Sequence, residues 1–381
     1  MVQVPLAGRM EAGFPMSRRH LIGLVAVVAA LLIVGIDVLA VHHFGKNAAT
    51  KTYPDNYLNA VACPSAAQCW AVGQTGSAPG GNTLYEPRHP LLKHETAGHW
   101  STVVLKAPGP RAALEAIACP GASDCWAVGG SASSGPAFIE HWTGGAWQLA
   151  PSPVVRDGQL DAVACASPSA CWATGGTQTH PGVTGGLLEH WNGSAWSVVT
   201  SVAGGLRPQQ ISCPVRGYCL ALGLRGGATA AAAYAAGQWT AVTPPAPPSG
   251  GAGRAGSKVP SLFGCAGPAM CLAAYDGTTL VTDVWNGSTW TPASSAALSY
   301  PVGLTCSGSK GCWLLGMTSK YHPLALRWQG SGWAPVSVPP VRHSGYLSGL
   351  ACGSDCWAVG GEGGSRRNGD PYTRPLIAPL A

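Results

Sequence analysis

The chain has 381 residues, only 10% of them charged, with 53 glycines, 32 prolines and a formal charge of +6. Such a composition builds turns, strands and aromatic packing, and excludes a fold of charged amphipathic helices. Arg9, Arg18, Arg19, Lys46, Glu11 and Asp37 all precede residue 47, so residues 47–381 carry +4, too weak a charge to recruit nucleic acid.

Leu21–Val41 is an apolar run of 21 residues broken only by Asp37 and two glycines, long enough to cross a bilayer. Arg18 and Arg19 precede it, which predicts a cytoplasmic tail (residues 1–20), a single-pass anchor (21–41) and an extracytoplasmic remainder in the cell membrane. A cleaved signal is the alternative, with Leu21–Val34 as its apolar core and Val38-Leu39-Ala40 before the cut. Ser17–Ile22 resembles a twin-arginine signal, so secretion by the Sec or twin-arginine route stays open. Residues 42–57 then read as a linker.

From residue 63 onward the cysteines come in pairs: Cys63/Cys69, Cys119/Cys125, Cys165/Cys171, Cys213/Cys219, Cys265/Cys271, Cys306/Cys312 and Cys352/Cys356. These account for all 14 cysteines, and successive pairs begin 56, 46, 48, 52, 41 and 46 residues apart, the period of a propeller blade. In an exported chain, constant spacing predicts one disulfide per repeat. Zinc fits poorly, because the gap is wrong and no histidine recurs at a fixed offset, so neither a metal nor a cofactor is expected.

The second repeat shows the pattern. Leu114–Cys119 reads as a strand, Pro120–Asp124 as a turn and Cys125–Gly129 as a second strand. Ala137–Trp142 is a third strand and Ala146–Leu149 a fourth. Related endings at His190–Trp196 and Val284–Trp290 place Asn-Gly between aromatic-flanked runs, which predicts a tight hairpin with both turn residues at positive φ. The tryptophans keep three repeat positions. One follows the second cysteine (Leu220 and Leu272 substitute), one ends the third strand (Tyr234 and Glu95 substitute), and one begins the fourth. Placed by the period, they should pack neighbouring sheets together.

Four short strands in each of seven repeats predict an all-β fold, a seven-bladed β-propeller spanning 58–381, monomeric, with one stapled hairpin per blade. Residues 241–261, rich in Pro, Gly and Ser, read as a loop between blades. The last repeat offers Tyr346–Cys352, Cys356–Gly361 and Pro375–Leu380 but no fourth strand, and part of 44–57 is expected to supply it.

Cys-Trp-Ala-Val-Gly followed by Glu-His-Trp-Asn-Gly-x-x-Trp resembles the repeats of exported or membrane-anchored propellers of actinobacteria, over roughly Leu58 to Gly361. The resemblance implies the fold and no particular activity. The repeats are also distantly similar to kelch and sialidase-type repeats. Asn286–Trp290 keeps the turn and tryptophan of a sialidase Asp-box but lacks its Asp and its spacing.

No catalytic residue is assigned. Glu140 and Glu189 share one repeat position, Asp124 and Asp355 another, and no nucleophile elbow, phosphate loop or metalloprotease motif is present. Recognition is expected where loop length varies, on the face bearing the second-to-third loops and the inter-blade connections. That face should display Tyr85, Arg88, His89, Arg156, Asp157, His180, Arg207, Arg225, Lys320, Tyr321, His322, Arg342, His343, Arg366 and Arg367. Its basic character suits an envelope protein, a glycan or an anionic polymer, so the chain reads as a membrane-tethered binding or scaffolding module. The alternative is a propeller-fold glycoside hydrolase or lyase, which would need acids or histidines at the channel mouth.

Overall fold

A computed structural model describes residues 56–65, 68–76, 89–105, 112–131, 135–153, 155, 157–180, 183–200, 202–246, 259–277, 279–293, 295–307, 311–320, 322–338, 346–352, 356–365 and 371–380. The chain divides into Met1–Thr52 and Tyr53–Ala381, and every described residue belongs to the second unit. Among the described residues no helix is long and apolar enough to cross a membrane. The expected anchor (21–41) and linker positions 42–55 lie outside them. Asn56 and Tyr57 open the first strand.

The first repeat comprises β1 (Asn56–Ser65), β2 (Gln68–Thr75), β3 (His89–Thr96) and β4 (His99–Val103). The second holds β5 (Ala112–Gly121), β6 (Asp124–Ser131), β7 (Phe138–Trp142) and β8 (Trp147–Leu149). The third holds β9 (Gly158–Ser167), β10 (Ala170–His180), β11 (Val183–Trp191) and β12 (Trp196–Val198). The fourth holds β13 (Arg207–Val215), β14 (Tyr218–Arg225), β15 (Ala228–Ala235) and β16 (Gln238–Val242). The fifth holds β17 (Leu262–Gly267), β18 (Met270–Tyr275), β19 (Val281–Trp285) and β20 (Trp290–Pro292). The sixth holds β21 (Tyr300–Ser307), β22 (Gly311–Met317), β23 (Pro323–Trp328) and β24 (Trp333–Val336). The last holds β25 (Tyr346–Cys352), β26 (Cys356–Ser365) and β27 (Pro371–Leu380).

Each repeat is an antiparallel meander, with three strands in the last among the described residues; the pair Gly130↔Gln159 merges the second and third into one eight-stranded sheet. The first strands touch in a cycle, β1 against β5, then β9, β13, β17, β21 and β25, and β25 returns to β1. At that last joint the Ser348 hydroxyl donates to the Leu58 carbonyl, and Leu58, Val61 and Ala71 pack with Ala351 and Val359.

The recurring glycine after Trp-Ala-Val has a steric cause. The first strand carries a β-bulge opposite it, as between Leu114 and Ala116 in β5. A Cβ on Gly129 would stand 1.9 Å from the Ala113 carbonyl oxygen, and one on Gly175 would stand 1.9 Å from that of Gln159.

All seven cysteine pairs are bonded as the spacing predicts, with Cα atoms 3.9–4.1 Å apart. The second cysteine of each pair is the more deeply buried. Cys69, Cys125, Cys171, Cys219, Cys271 and Cys312 are each at most 2% exposed. They are core residues that pack the sheets together and cross-link each hairpin. The cause is their place on the second strand, ahead of the apolar run that each repeat buries between its neighbours. Cys219 accordingly packs with Trp172 and Ile211, Cys271 with Leu220 and Trp285, and Cys312 with Leu272 and Trp328. Of the first-strand cysteines, Cys63, Cys119, Cys165, Cys306 and Cys352 stay partly open, whereas Cys213 and Cys265 are buried as well.

Aromatic rings fill the joints between sheets. Trp126 stacks on His141 at 3.6 Å, while Trp191 and Trp196 of the next repeat close on it at 4.7 and 5.3 Å. Trp70 repeats this with His94, Trp142 and Trp147, and Trp172 with His190, Tyr234 and Trp239. A buried tryptophan hides about 200 Å², worth roughly 5 kcal/mol at the usual transfer coefficient.

The Asn-Gly turns depart from expectation. Gly193 and Gly287 take positive φ (96° and 99°), but their asparagines do not. Four residues, Asn192 to Ala195, bridge Trp191 and Trp196. The Asn192 Oδ1 accepts from the Ser194 and Ala195 amides at 2.9 and 3.0 Å. The side chain holds the turn through local hydrogen bonds, so the asparagine backbone need not become left-handed.

Candidate functional site

Antiparallel meanders put every first-to-second and third-to-fourth turn at one end of the sheets, called here the turn end. The opposite, loop end carries the second-to-third loops and the connections between repeats. At the turn end an opening of about 500 Å³ is ringed by the first cysteine of every pair, with Val61, Ile117, Val163, Ile211, Phe263, Leu304 and Leu350 behind them. Among the described residues its lining carries no acid and no histidine, and none of the second cysteines reaches it.

Of the residues expected on the recognition face, His89, Asp157, His180, Arg207, Arg225, Lys320 and His322 are described, and all lie at the loop end. Tyr85, Arg88, Arg156, Tyr321, Arg342, His343, Arg366 and Arg367 lie outside the described residues. His89, Asp157, Arg207, Lys320 and His322 are exposed. Arg225 is not a free cation, because its Nη2 donates to the Ala203 carbonyl at 2.6 Å and braces the connection into β13.

Arg207 lines a cleft, a space of about 370 Å³ between the third and fourth repeats. Asp161, Gly175, Gly176, Gly185, Gly186, Pro208, Gln209 and Leu224 complete its walls. Asp161 is the extra residue of the bulge in β9, between Leu160 and Ala162. Gln159 Nε2 donates to its Oδ1 at 2.7 Å. Enclosure by the surrounding sheets pushes the Asp161 carboxyl above its usual range, although the residue stays open to water and the Gln159 bond opposes the shift. Across the cleft, a Cβ on Gly186 would meet the Arg207 Cβ at 2.7 Å. Glycine there lets the arginine backbone approach β11.

The cleft therefore joins a carboxylate, a guanidinium and bare strand backbone on a glycine-paved wall. Such a lining can both donate to and accept from an extended polar chain. Loop chemistry pointed to Arg207. It did not single out Asp161 or Gln209, and the bulge that aims Asp161 has no signature in β9 apart from the paired Gly175.

No protein-family model and no curated protein matches the chain. Among solved structures, YCF48 bound to D1 peptide is similar over 87% of this chain and 97% of its own, at 12% identity and a TM-score of 0.54. A puromycin-hydrolyzing peptidase of Mycobacterium tuberculosis is similar over 84% of this chain and 53% of its own, at 10% identity and a TM-score of 0.52. Both are β-propeller proteins. At such identity the likeness shows the fold alone, and the chain is an all-β propeller with disulfide-stapled hairpins.

Proposed function

We propose that the chain is a membrane-tethered, extracytoplasmic seven-bladed β-propeller that binds a cell-envelope partner at its loop end. Seven blades are supported by the cycle of first strands and by the ring of seven first cysteines around one opening. The tether rests on the apolar run at 21–41 and the arginines before it. The cleft between the third and fourth repeats carries the binding reading, because Asp161 and Arg207 converge there on exposed strand backbone. An extended segment of an envelope protein suits it best, and the peptide complex of YCF48 offers a parallel on the same fold.

The test is co-sedimentation of the purified, oxidised chain (residues 47–381) with envelope fractions of its host, at low and high salt. Saturable binding, weaker at high salt and lowered about tenfold by Arg207→Ala, supports the proposal. Binding that neither Arg207→Ala nor Gly186→Ala alters removes the cleft from the account, and no binding at either salt removes the partner.

A further inference from the structure

A second pocket lies at the turn end, where the repeat decays. In the second, third and fifth repeats the indole closing the third strand donates to the carbonyl three residues before the second cysteine. Trp142 donates to Ala122 at 3.2 Å, Trp191 to Pro168 at 3.0 Å and Trp285 to Pro268 at 3.1 Å. Trp142 and Trp191 also lean toward the stacked histidine of the preceding repeat, His94 and His141, at 6.4 and 6.3 Å. In the fourth repeat Tyr234 takes the indole's place, and the residue bearing the equivalent carbonyl is Arg216. A phenol is smaller than an indole and has no N–H at that position. The joint is left open as a pocket of about 340 Å³, within the range of small-ligand sites.

The groups around this pocket are suited to a ligand. Ser169, Trp172, His190, Asn192, Arg216 and Tyr234 line it. Arg216 is exposed, and among the described residues its guanidinium makes no hydrogen bond or ion pair. The Asn192 Oδ1 is taken by the Ser194 and Ala195 amides, which leaves its Nδ2 as a donor. His190 lies on Trp172 with ring centroids 3.9 Å apart, so only its outer surface faces the space. Burial lowers the His190 pKa, which keeps the ring neutral at pH 7 and leaves Arg216 as the cation of the pocket.

We propose that this pocket binds an acidic sugar residue, its carboxylate on Arg216, its ring between His190 and Tyr234, and its hydroxyls on Asn192 and Ser169. A guanidinium fork matches a carboxylate in two parallel hydrogen bonds. The amide, hydroxyl and imidazole groups match a ring bearing several hydroxyls, and the volume admits one such ring. The site lies at the opposite end of the sheets from the Arg207 cleft and stands or falls independently of it.

The test titrates the oxidised full chain with glucuronate and galacturonate, and with glucose and galactose as neutral parents, followed by ligand-observed NMR. Uronate binding should be saturable, exceed that of the neutral sugars about tenfold, and fall about tenfold in Arg216→Ala. Tyr234→Trp restores the indole of the regular repeats, and should abolish binding while leaving thermal stability equal or higher. Three outcomes each overturn the proposal: no saturable uronate binding, equal binding of the neutral sugars, or unchanged uronate binding in a folded Tyr234→Trp chain.

Discussion

Glu140 and Glu189 occupy the same position of successive third strands, and each is at most 1% exposed. Oε1 of Glu140 and both carboxylate oxygens of Glu189 lack hydrogen-bond partners among the described residues. Burial therefore pushes each carboxyl from 4.5 up to about 7. Between those values the folded chain holds protons that the unfolded chain releases. The stability this confers is complete below about pH 4.5 and is lost as pH rises through 7. At 1.36 kcal/mol per unit, each glutamate should cost about 3 kcal/mol at pH 8. Asp283, raised by burial in the fifth repeat, acts in the same direction. Replacing Glu189 by Gln keeps the shape and removes the ionisation. For a domain of this size about 0.7 kcal/mol corresponds to one degree, so Glu189→Gln should raise Tm by roughly 4 °C at pH 8. At pH 4.5 its Tm should match that of the parent. Thermal unfolding at the two pH values, scanned at one rate with disulfides intact, makes the comparison. Equal Tm values for parent and variant at pH 8 would refute the argument.

Gly129→Ala should destabilise by about 3 kcal/mol or more, because its Cβ would stand 1.9 Å from the Ala113 carbonyl; urea unfolding measures it. Replacing Cys165 and Cys171 together by serine opens a loop closed over a separation of 6 residues and should cost about 2 kcal/mol. The same unfolding assay reads that loss.

The cysteine rhythm made the repeats legible, because a disulfide fixes two strands of every hairpin whatever the rest of the repeat becomes. Which sulfur would be buried was not legible. Spacing pairs Cys69 with Cys63 and Cys312 with Cys306, but the burial of Cys69 and Cys312 depends on the neighbouring sheet. Tryptophans at three fixed positions likewise announced the packing between sheets, and Trp126 with Trp191 and Trp196 shows it. The Asn-Gly turn misled on detail. Two residues suggested a two-residue turn, whereas the Asn192 side chain organises a four-residue one. The bulges of the first strands left only an indirect trace, the glycine opposite, since a bulge is a property of paired strands and not of either alone. For the same reason nothing in the sequence marks Asp161 as a cleft residue. Tyr234 was visible as a substitution for tryptophan. That it opens a pocket beside Arg216 depends on which turn lies across the joint, and only the packing of adjacent sheets tells that.

The claim beneath all of these is that seven repeats close into one ring, with the variable loops gathered at one end. A crystal structure of residues 47–381 tests it most directly. Seven radial blades around one axis are expected, each with its own disulfide, and Arg207 facing Asp161 across a cleft at the loop end. An open arc, a different number of blades, or a disulfide between repeats would contradict it.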